Sequence, residues 1–111
     1  MTVTVKVLIP AKTAENSQTT QYTASGVTTI IDKFTATNYS GTAATISVNL
    51  VTALETAANA NLITKSKTLQ PSEVYTFPEL VGQVLMPSGF ISTIAGTASA
   101  INIRSSGREV S

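Results

Sequence analysis

The sequence predicts an all-β fold, a single-domain antiparallel β-sandwich over residues 1–111. Two observations support this class. Apolar and polar residues alternate over many short runs, which is the pattern of strands with one buried face. Glycine and proline separate these runs at the short intervals typical of sandwiches, with no β-helix-β rhythm. A jelly-roll sandwich is the first choice, and an immunoglobulin-like sandwich is the second.

Four strands are predicted in the N-terminal half of the chain. The first alternates valine with threonine and lysine, as a half-buried strand does, and is expected to end at Pro10 because proline cannot donate a backbone hydrogen bond. The second is more polar and is expected near a sheet edge. The third and fourth are expected to pair as a hairpin that organises the core. In order, the four strands are Thr2–Ile9, Thr19–Ala24, Val27–Tyr39 and Thr45–Leu54.

The C-terminal half is predicted to contain shorter strands. A loop or single helical turn at residues 55–61 comes first. Residues 79–86 read as a short strand or irregular crossover, with a helical turn as the alternative, and residues 105–111 read as a polar tail or an edge strand. The remaining predicted strands are Asn61–Leu69, Val74–Phe77, Phe90–Ala95 and Ser99–Arg104.

The composition argues against catalysis. The chain has no histidine, cysteine or tryptophan, so the usual activating bases and zinc ligands are absent. Ser66 lies between Lys65 and Lys67, but neighbouring strand residues point to opposite faces. Glu73 and Glu79 are better explained as turn and strand-end charges than as a glycosidase pair. We expect no enzymatic activity, no metal and no cofactor.

The charge pattern is equally informative about partners. The net charge is +1 and only 12% of residues are charged. Lys65 with Lys67 on one predicted strand face, and Arg104 with Arg108, are two short pairs rather than the basic stripe of a nucleic-acid binder. No apolar run is long enough to span a membrane. We therefore expect neither nucleic acid nor membrane as a partner.

With catalysis, nucleic-acid binding and membrane binding disfavoured, a protein-contact surface is the remaining functional feature that the sequence supports. Threonine- and serine-rich faces lose little side-chain entropy when a partner orders them, and uncharged sheet edges accept an added strand. The two terminal stretches, 2–9 and 104–111, are the candidate edges, although both stretches would also serve simply to close the sandwich. Tyrosines are frequent interface anchors but also common core rings. The candidate contact residues are Thr2, Thr4, Lys6, Tyr22, Tyr39, Tyr75, Arg104 and Arg108.

The chain also resembles a known family. The run Gly26–Asn38 followed by Ser40–Ala44, and the closing motifs Leu69–Glu73, Leu80–Gly82, Gly89–Ser92 and Ser106–Glu109, resemble the small capsid decoration proteins, also called staple or cement proteins, of tailed phages. The likeness covers nearly the whole chain and consists of the short alternating runs of threonine, serine and small aliphatic residues, the positions of the turns, and the length. It transfers no functional residue, because no residue-level motif accompanies it.

The resemblance implies a jelly-roll-like sandwich on the outer capsid surface of a virion, made in the cytoplasm of the host bacterium. There it would clamp neighbouring copies of the major capsid protein. From the uncharged surface and the terminal strands we expect the chain to bridge capsid subunits, with self-association as a dimer. The alternatives are a tail- or surface-associated recognition module, either an adhesin or a carbohydrate-binding sandwich, and a minor head–tail joining component.

Overall fold

The structure is a computed structural model that describes residues 1–111, and it is an all-β sandwich of two antiparallel sheets. A single 3₁₀ turn, Asn59–Asn61, interrupts the strands, and no helix of the length and apolarity needed to cross a membrane is present. The strands are β1 (Val3–Thr13), β2 (Thr19–Thr23), β3 (Thr28–Asn38), β4 (Ala44–Val51), β5 (Leu62–Leu69), β6 (Val74–Tyr75), β7 (Val84–Leu85), β8 (Phe90–Ala95) and β9 (Ile101–Val110).

The strand order is that of a jelly roll. Sheet 1 has the order β1-β9-β3-β6, with β7 also paired to β3, and sheet 2 has the order β2-β8-β4-β5. The pairs β1/β9, β2/β8, β3/β6 and β4/β5 are nested, as in a long antiparallel ribbon that has been rolled up. The first-choice fold is therefore confirmed, and the immunoglobulin-like order is not observed.

The core between the sheets is largely aliphatic, since the chain has only three phenylalanines, three tyrosines and no tryptophan. Phe34 and Phe77 are fully buried, with their rings edge to face and their centroids 4.8 Å apart. Around them pack isoleucine, valine, leucine and alanine side chains from both sheets. Offset aromatic pairs of this kind add about 1 kcal/mol beyond the area they bury.

The expectation that Pro10 ends the first strand is wrong, since β1 continues to Thr13. The pairing of β1 with β9 shifts register between Val7 and Ile9 and again between Ile9 and Lys12. Proline is tolerated in an edge strand at such irregularities because no ladder hydrogen bond is lost there. The first shift also changes which face of β1 is buried.

The predicted hairpin of the third and fourth strands does not form, because β3 lies in sheet 1 and β4 in sheet 2. A register shift between Ile31 and Lys33 moves the buried face of β3 from Ile31 to Phe34, so that Ile30 points away from the core. Leu54, which was predicted to extend β4, lies beyond the strand and is fully exposed.

The prediction that residues 105–111 form a polar tail or an edge strand is wrong. This segment forms the second half of β9, which pairs with β1 on one side and with β3 on the other. Gly107 lies in this segment where the backbones are close. A Cβ added there would lie 2.1 Å from the carbonyl oxygen of Ile30 and 2.9 Å from Leu8 Cδ1.

We predict that Gly107→Ala destabilises the fold by about 3 kcal/mol, because a backbone carbonyl must move to admit the methyl group. Gly41→Ala is the matched control, since a Cβ at Gly41 meets nothing within 4 Å. Chemical denaturation of both variants measures the difference. Equal unfolding midpoints for the two variants would contradict the close approach of β9 to β3.

Candidate contact surface

One end of sheet 1 carries an exposed apolar surface on the face that points away from the core. Residues directly opposite each other in neighbouring strands project to the same side. Val5 lies opposite Arg108, and Arg108 lies opposite Ile30. Ile30 in turn lies opposite Val84 of β7. We call this surface the apolar strip, and its members are Val3, Val5, Val7, Ile30, Val84 and Val110.

The apolar strip is open to solvent. Val5 is 83% exposed and Val84 is 51% exposed, and every residue from Met1 to Val7 is exposed. Single exposed apolar residues are ordinary, but a contiguous group on one face marks a contact site. The side chains are short and branched, so ordering them against a partner costs little rotamer entropy.

Arg108, a predicted contact residue, lies within this strip but is already paired. Its Nε donates to both carboxylate oxygens of Asp32, at 3.2 and 3.0 Å, and its Nη2 donates to Oδ1 at 2.8 Å. This fork lowers the pKa of the Asp32 carboxyl and raises that of the guanidinium. The pair presents a neutralised, planar group beside the valines.

Arg104, by contrast, makes no ion pair. It borders a shallow depression on the same face of sheet 1 together with Lys33 and Thr35. Both basic side chains are exposed there. This end of the sheet therefore offers two free cations next to an apolar strip.

Thr4 and Lys6 point to the opposite side from the valines, because they lie across from Glu109 and Gly107. Lys6 Nζ is 3.3 Å from Glu109, whose carboxylate also accepts a hydrogen bond from Tyr22. Thr2 contributes through its backbone, which exchanges hydrogen bonds with Ser111 at 2.8 and 3.0 Å. Thr2 and Thr4 are exposed, but neither lies on the apolar strip.

Tyr22 is a core residue, only 9% exposed, so it cannot anchor an external partner in this fold. Its ring comes from β2 in sheet 2, and its hydroxyl meets Thr29 and Glu109, both in sheet 1. Burial, followed by the hydrogen bond to Glu109, raises the pKa of the phenol to about 12. Tyr22 therefore links the two sheets by side-chain hydrogen bonds, and we call such a link between the sheets a tie.

Tyr75 makes a similar tie at another edge of the sandwich. Its hydroxyl donates to Glu79 at 2.6 Å, and Thr64 of sheet 2 donates to the other oxygen of that carboxylate. The hydrogen bond to Glu79, and then burial, raises the pKa of the Tyr75 phenol to about 12. Lys67 Nζ lies 4.8 Å from the centre of the ring. Glu79 thus has a structural role, and Glu73 has a separate one as acceptor from the Gln70 backbone amide.

The expectation that Lys65 and Lys67 share a face is wrong. β5 contains an irregularity at Ser66, whose φ of 46° is left-handed, and the pairing with β4 shifts register there. Lys67 consequently turns towards Tyr75, whereas Lys65 borders a depression with Ser47 and Asn49. A bulge changes the side to which successive residues point.

Tyr39 is the one predicted tyrosine with a largely free ring, at 52% exposed. Its hydroxyl lies 3.2 Å from Thr13 Oγ1, which in turn donates to Asn102. It borders a depression with Arg104 and Thr35, so it lies on the same face of sheet 1 as the two free cations.

The structure thus brings Arg104, Arg108 and Tyr39 to one face, and it assigns Tyr22 and Tyr75 to ties between the sheets. Sequence reasoning missed the valines as contact residues, because the alternation in 2–9 was interpreted as a buried valine face. The register shift after Val7 reverses that assignment. Lys6, in the middle of the run, indicated the threonine side as the outward one, but its charge is accommodated on that side by Glu109.

No group of three or more carboxylates lies close enough together to hold a metal ion. Pockets for small molecules are usually concave and enclose roughly 300–1,000 Å³. The apolar groove between residues 50–53 and 84–87 has only about 180 Å³. The largest depression, of about 490 Å³ beside Asp32 and Pro78, is nearly flat and wide open to solvent. The broad face of sheet 1 is therefore the strongest candidate for a functional surface.

We predict that Tyr22 and Tyr75 ionise late in an alkaline titration followed by phenolate absorbance. Folded-state pKa values near 12, against the usual value of 10, mean that both phenols stabilise the fold up to about pH 10 and lose this contribution as pH rises towards 12. Tyr22→Phe and Tyr75→Phe should each remove half of the late absorbance change. If neither substitution alters the late part of the curve, the two ties are misassigned.

Comparison with known proteins yields no match for this chain among protein-family models, curated proteins or solved structures.

Proposed function

We propose that this chain is a non-enzymatic virion protein that decorates the outer surface of a phage capsid and staples neighbouring copies of the major capsid protein. The observation that carries the proposal is the apolar strip, a solvent-exposed row of aliphatic side chains on a rigid sheet. The resemblance to phage decoration proteins supplies the identity of the partner. The dimer expected from the sequence is part of the proposal.

The face of sheet 1 has the composition of a binding surface. Aliphatic side chains flank the Arg108–Asp32 pair, in which the one carboxylate near the valines is neutralised. Lys33 and Arg104 border the strip as free cations. Protein interfaces commonly have an apolar centre and a polar rim, with arginine over-represented. The complementary surface on the capsid protein would carry apolar side chains flanked by carboxylates.

The shape of the molecule also suits a staple. Its principal extents are 46 × 26 × 20 Å, so its long axis exceeds its width by nearly a factor of two. A body of this length can lie across the junction of two shell subunits and contact both. Contacts that are weak one by one then sum, because the second forms at a high effective concentration.

The role needs stiffness, and the fold provides it. Two tyrosine–glutamate ties connect the sheets, at Tyr22–Glu109 and at Tyr75–Glu79. No buried side-chain polar atom lacks a hydrogen-bond partner. A platform with few internal alternatives loses little entropy when it is held against a shell.

We predict that Val5→Glu and Val84→Glu each weaken attachment to purified shells about tenfold or more, because each places in the apolar strip a carboxylate that must lose its hydration on binding. Ile63→Glu is the matched control, since Ile63 is a 37% exposed aliphatic residue on β5 of the other sheet. Co-sedimentation with shells lacking the protein measures binding. Equal loss in all three variants, or none in the strip variants, would argue against this face.

Copy number tests the proposal at the level of the particle. Quantitative mass spectrometry of purified particles should find this chain at a ratio near one to one with the major capsid protein. A few copies per particle would point instead to the tail or the head–tail junction. Complete absence from particles would remove the virion role altogether.

The alternative is a recognition module for glycans. The observation in its favour is a depression on sheet 2 lined by amide and hydroxyl side chains, among them Gln18, Ser47 and Asn49. Against it, both donors of the Asn49 amide are already used within the fold, by Ala58 and Asn61. Specific signals on a glycan array, abolished by Gln18→Ala, would favour this function over shell decoration.

A further inference from the structure

The free edges of the two sheets differ in how well they are protected. β6 and β7 have two residues each, which is too short to template a partner strand. β2 has five residues, but its pairing is interrupted by a register shift between Thr20 and Tyr22. β5 is longer but is broken by the irregularity at Ser66. Short strands and bulges are the usual protection of sheet edges. The N-terminal half of β1, Val3–Val7, has neither, because its register with β9 is continuous.

The hydrogen-bonding groups on this edge belong to the valines. Thr2 and Ser111 exchange both backbone hydrogen bonds, so they form a hydrogen-bonded pair of the antiparallel ladder. Such pairs alternate along the strands, which makes Thr4 and Lys6 the next residues bonded to β9. The N–H and C=O groups of Val3, Val5 and Val7 consequently point outwards, away from β9.

We propose that two copies of this chain pair antiparallel through these edges, with Val5 opposite Val5 of the second copy and Val3 opposite Val7. The outward N–H and C=O groups of the two edges then hydrogen-bond to each other, and sheet 1 continues across a two-fold axis. Only residues with outward N–H groups can bond, so every bonded pair joins valine to valine. The apolar strips of both copies therefore merge on a single face.

Charge and strand length select this register. A shift towards the C-terminus would centre the pairing on Lys6 and place it opposite its own copy, which is unfavourable. A shift towards the N-terminus would place Val7 opposite Met1, which lies before the strand begins. In the register centred on Val5, Lys6 faces Thr4. Lys6 is also held against Glu109, so its charge is already partly neutralised.

The inference rests on the self-association within the proposed function and gives it an interface. An edge pairing of five residues buries less than the roughly 800 Å² per partner of a standard interface. We therefore expect weak association in solution, strengthened when the shell holds two copies close together. A dimer in this register doubles the apolar strip that a shell would contact.

The absence of native cysteine allows a clean test by disulfide trapping of the full chain in solution. In the proposed register the Val5→Cys positions of two copies lie about 5.5 Å apart between Cα atoms, within the range of a disulfide. Val3→Cys is the matched control on the same strand, since its two copies are separated by about 14 Å along the strands. Val84→Cys, 51% exposed on the same face, reports random collision.

We expect Val5→Cys to form a disulfide-linked dimer about tenfold faster than either control under mild oxidation. A mixture of Val3→Cys and Val7→Cys chains should form the mixed dimer in preference to either homodimer. Equal trapping rates for Val5→Cys and Val84→Cys would overturn the proposal, and preferential Val3–Val5 crosslinking would overturn this register. Because the experiment contains no shells, its outcome is independent of whether the chain binds a capsid.

Discussion

The central position of β9 is the constraint on which the rest of the structure depends. The last strand of the chain lies between the first strand and β3, and it is hydrogen-bonded along both sides. Without it, β1 would have no partner, and the valines of β1 would not lie beside Ile30 of β3 on one face. The inward side chains of β9 also reach the core through Ile101 and Ile103, so one strand supplies both pairing and packing.

Register shifts decide which side chains the molecule shows to its surroundings. Sheet 1 contains such shifts in β1 after Val7 and in β3 at Asp32, and each reverses the alternation of faces. The valines become outward, and Ile30 joins them beside Val84. Asp32 is the unpaired residue at the register shift in β3, and there its carboxylate accepts hydrogen bonds from Arg108. The composition of the contact surface thus follows from local backbone irregularities, not from the alternation alone.

Much of the architecture could be predicted from the sequence. The period-two alternation and the spacing of glycine and proline located most strands, and Phe90–Ala95 was placed at its true limits. Pairing partners could not be predicted, because β3 and β4 are adjacent in sequence yet belong to opposite sheets. The polar sequence from Ser105 onwards resembles an exposed tail, and only its partners on both sides make it a central strand.

The candidate surface was predicted less well, for a physical reason. A strand of alternating valine and threonine has the same pattern whichever face is buried, so Val5 and Thr4 were assigned to the wrong sides. Tyrosines are ambiguous in the same way, since a ring with a bonded hydroxyl suits a core or an interface. Tyr22 is buried and Tyr75 partly buried, and the hydroxyl of each donates to a carboxylate within the fold. Arg104 and Tyr39, which have no such internal partner, remain on the surface.

The hydrogen bonds between Thr2 and Ser111 have a consequence for how the chain is made. The ribosome makes β1 before β9, so β1 cannot close its ladder until Ile101–Val110 has been synthesised. Sheet 1 therefore forms only after β9 has emerged from the exit tunnel, and the valine-rich first strand lacks its partner until then. Contacts this distant in sequence favour slow folding and leave nascent chains open to aggregation. Production at lowered temperature or at slower expression should accordingly raise the yield of folded protein.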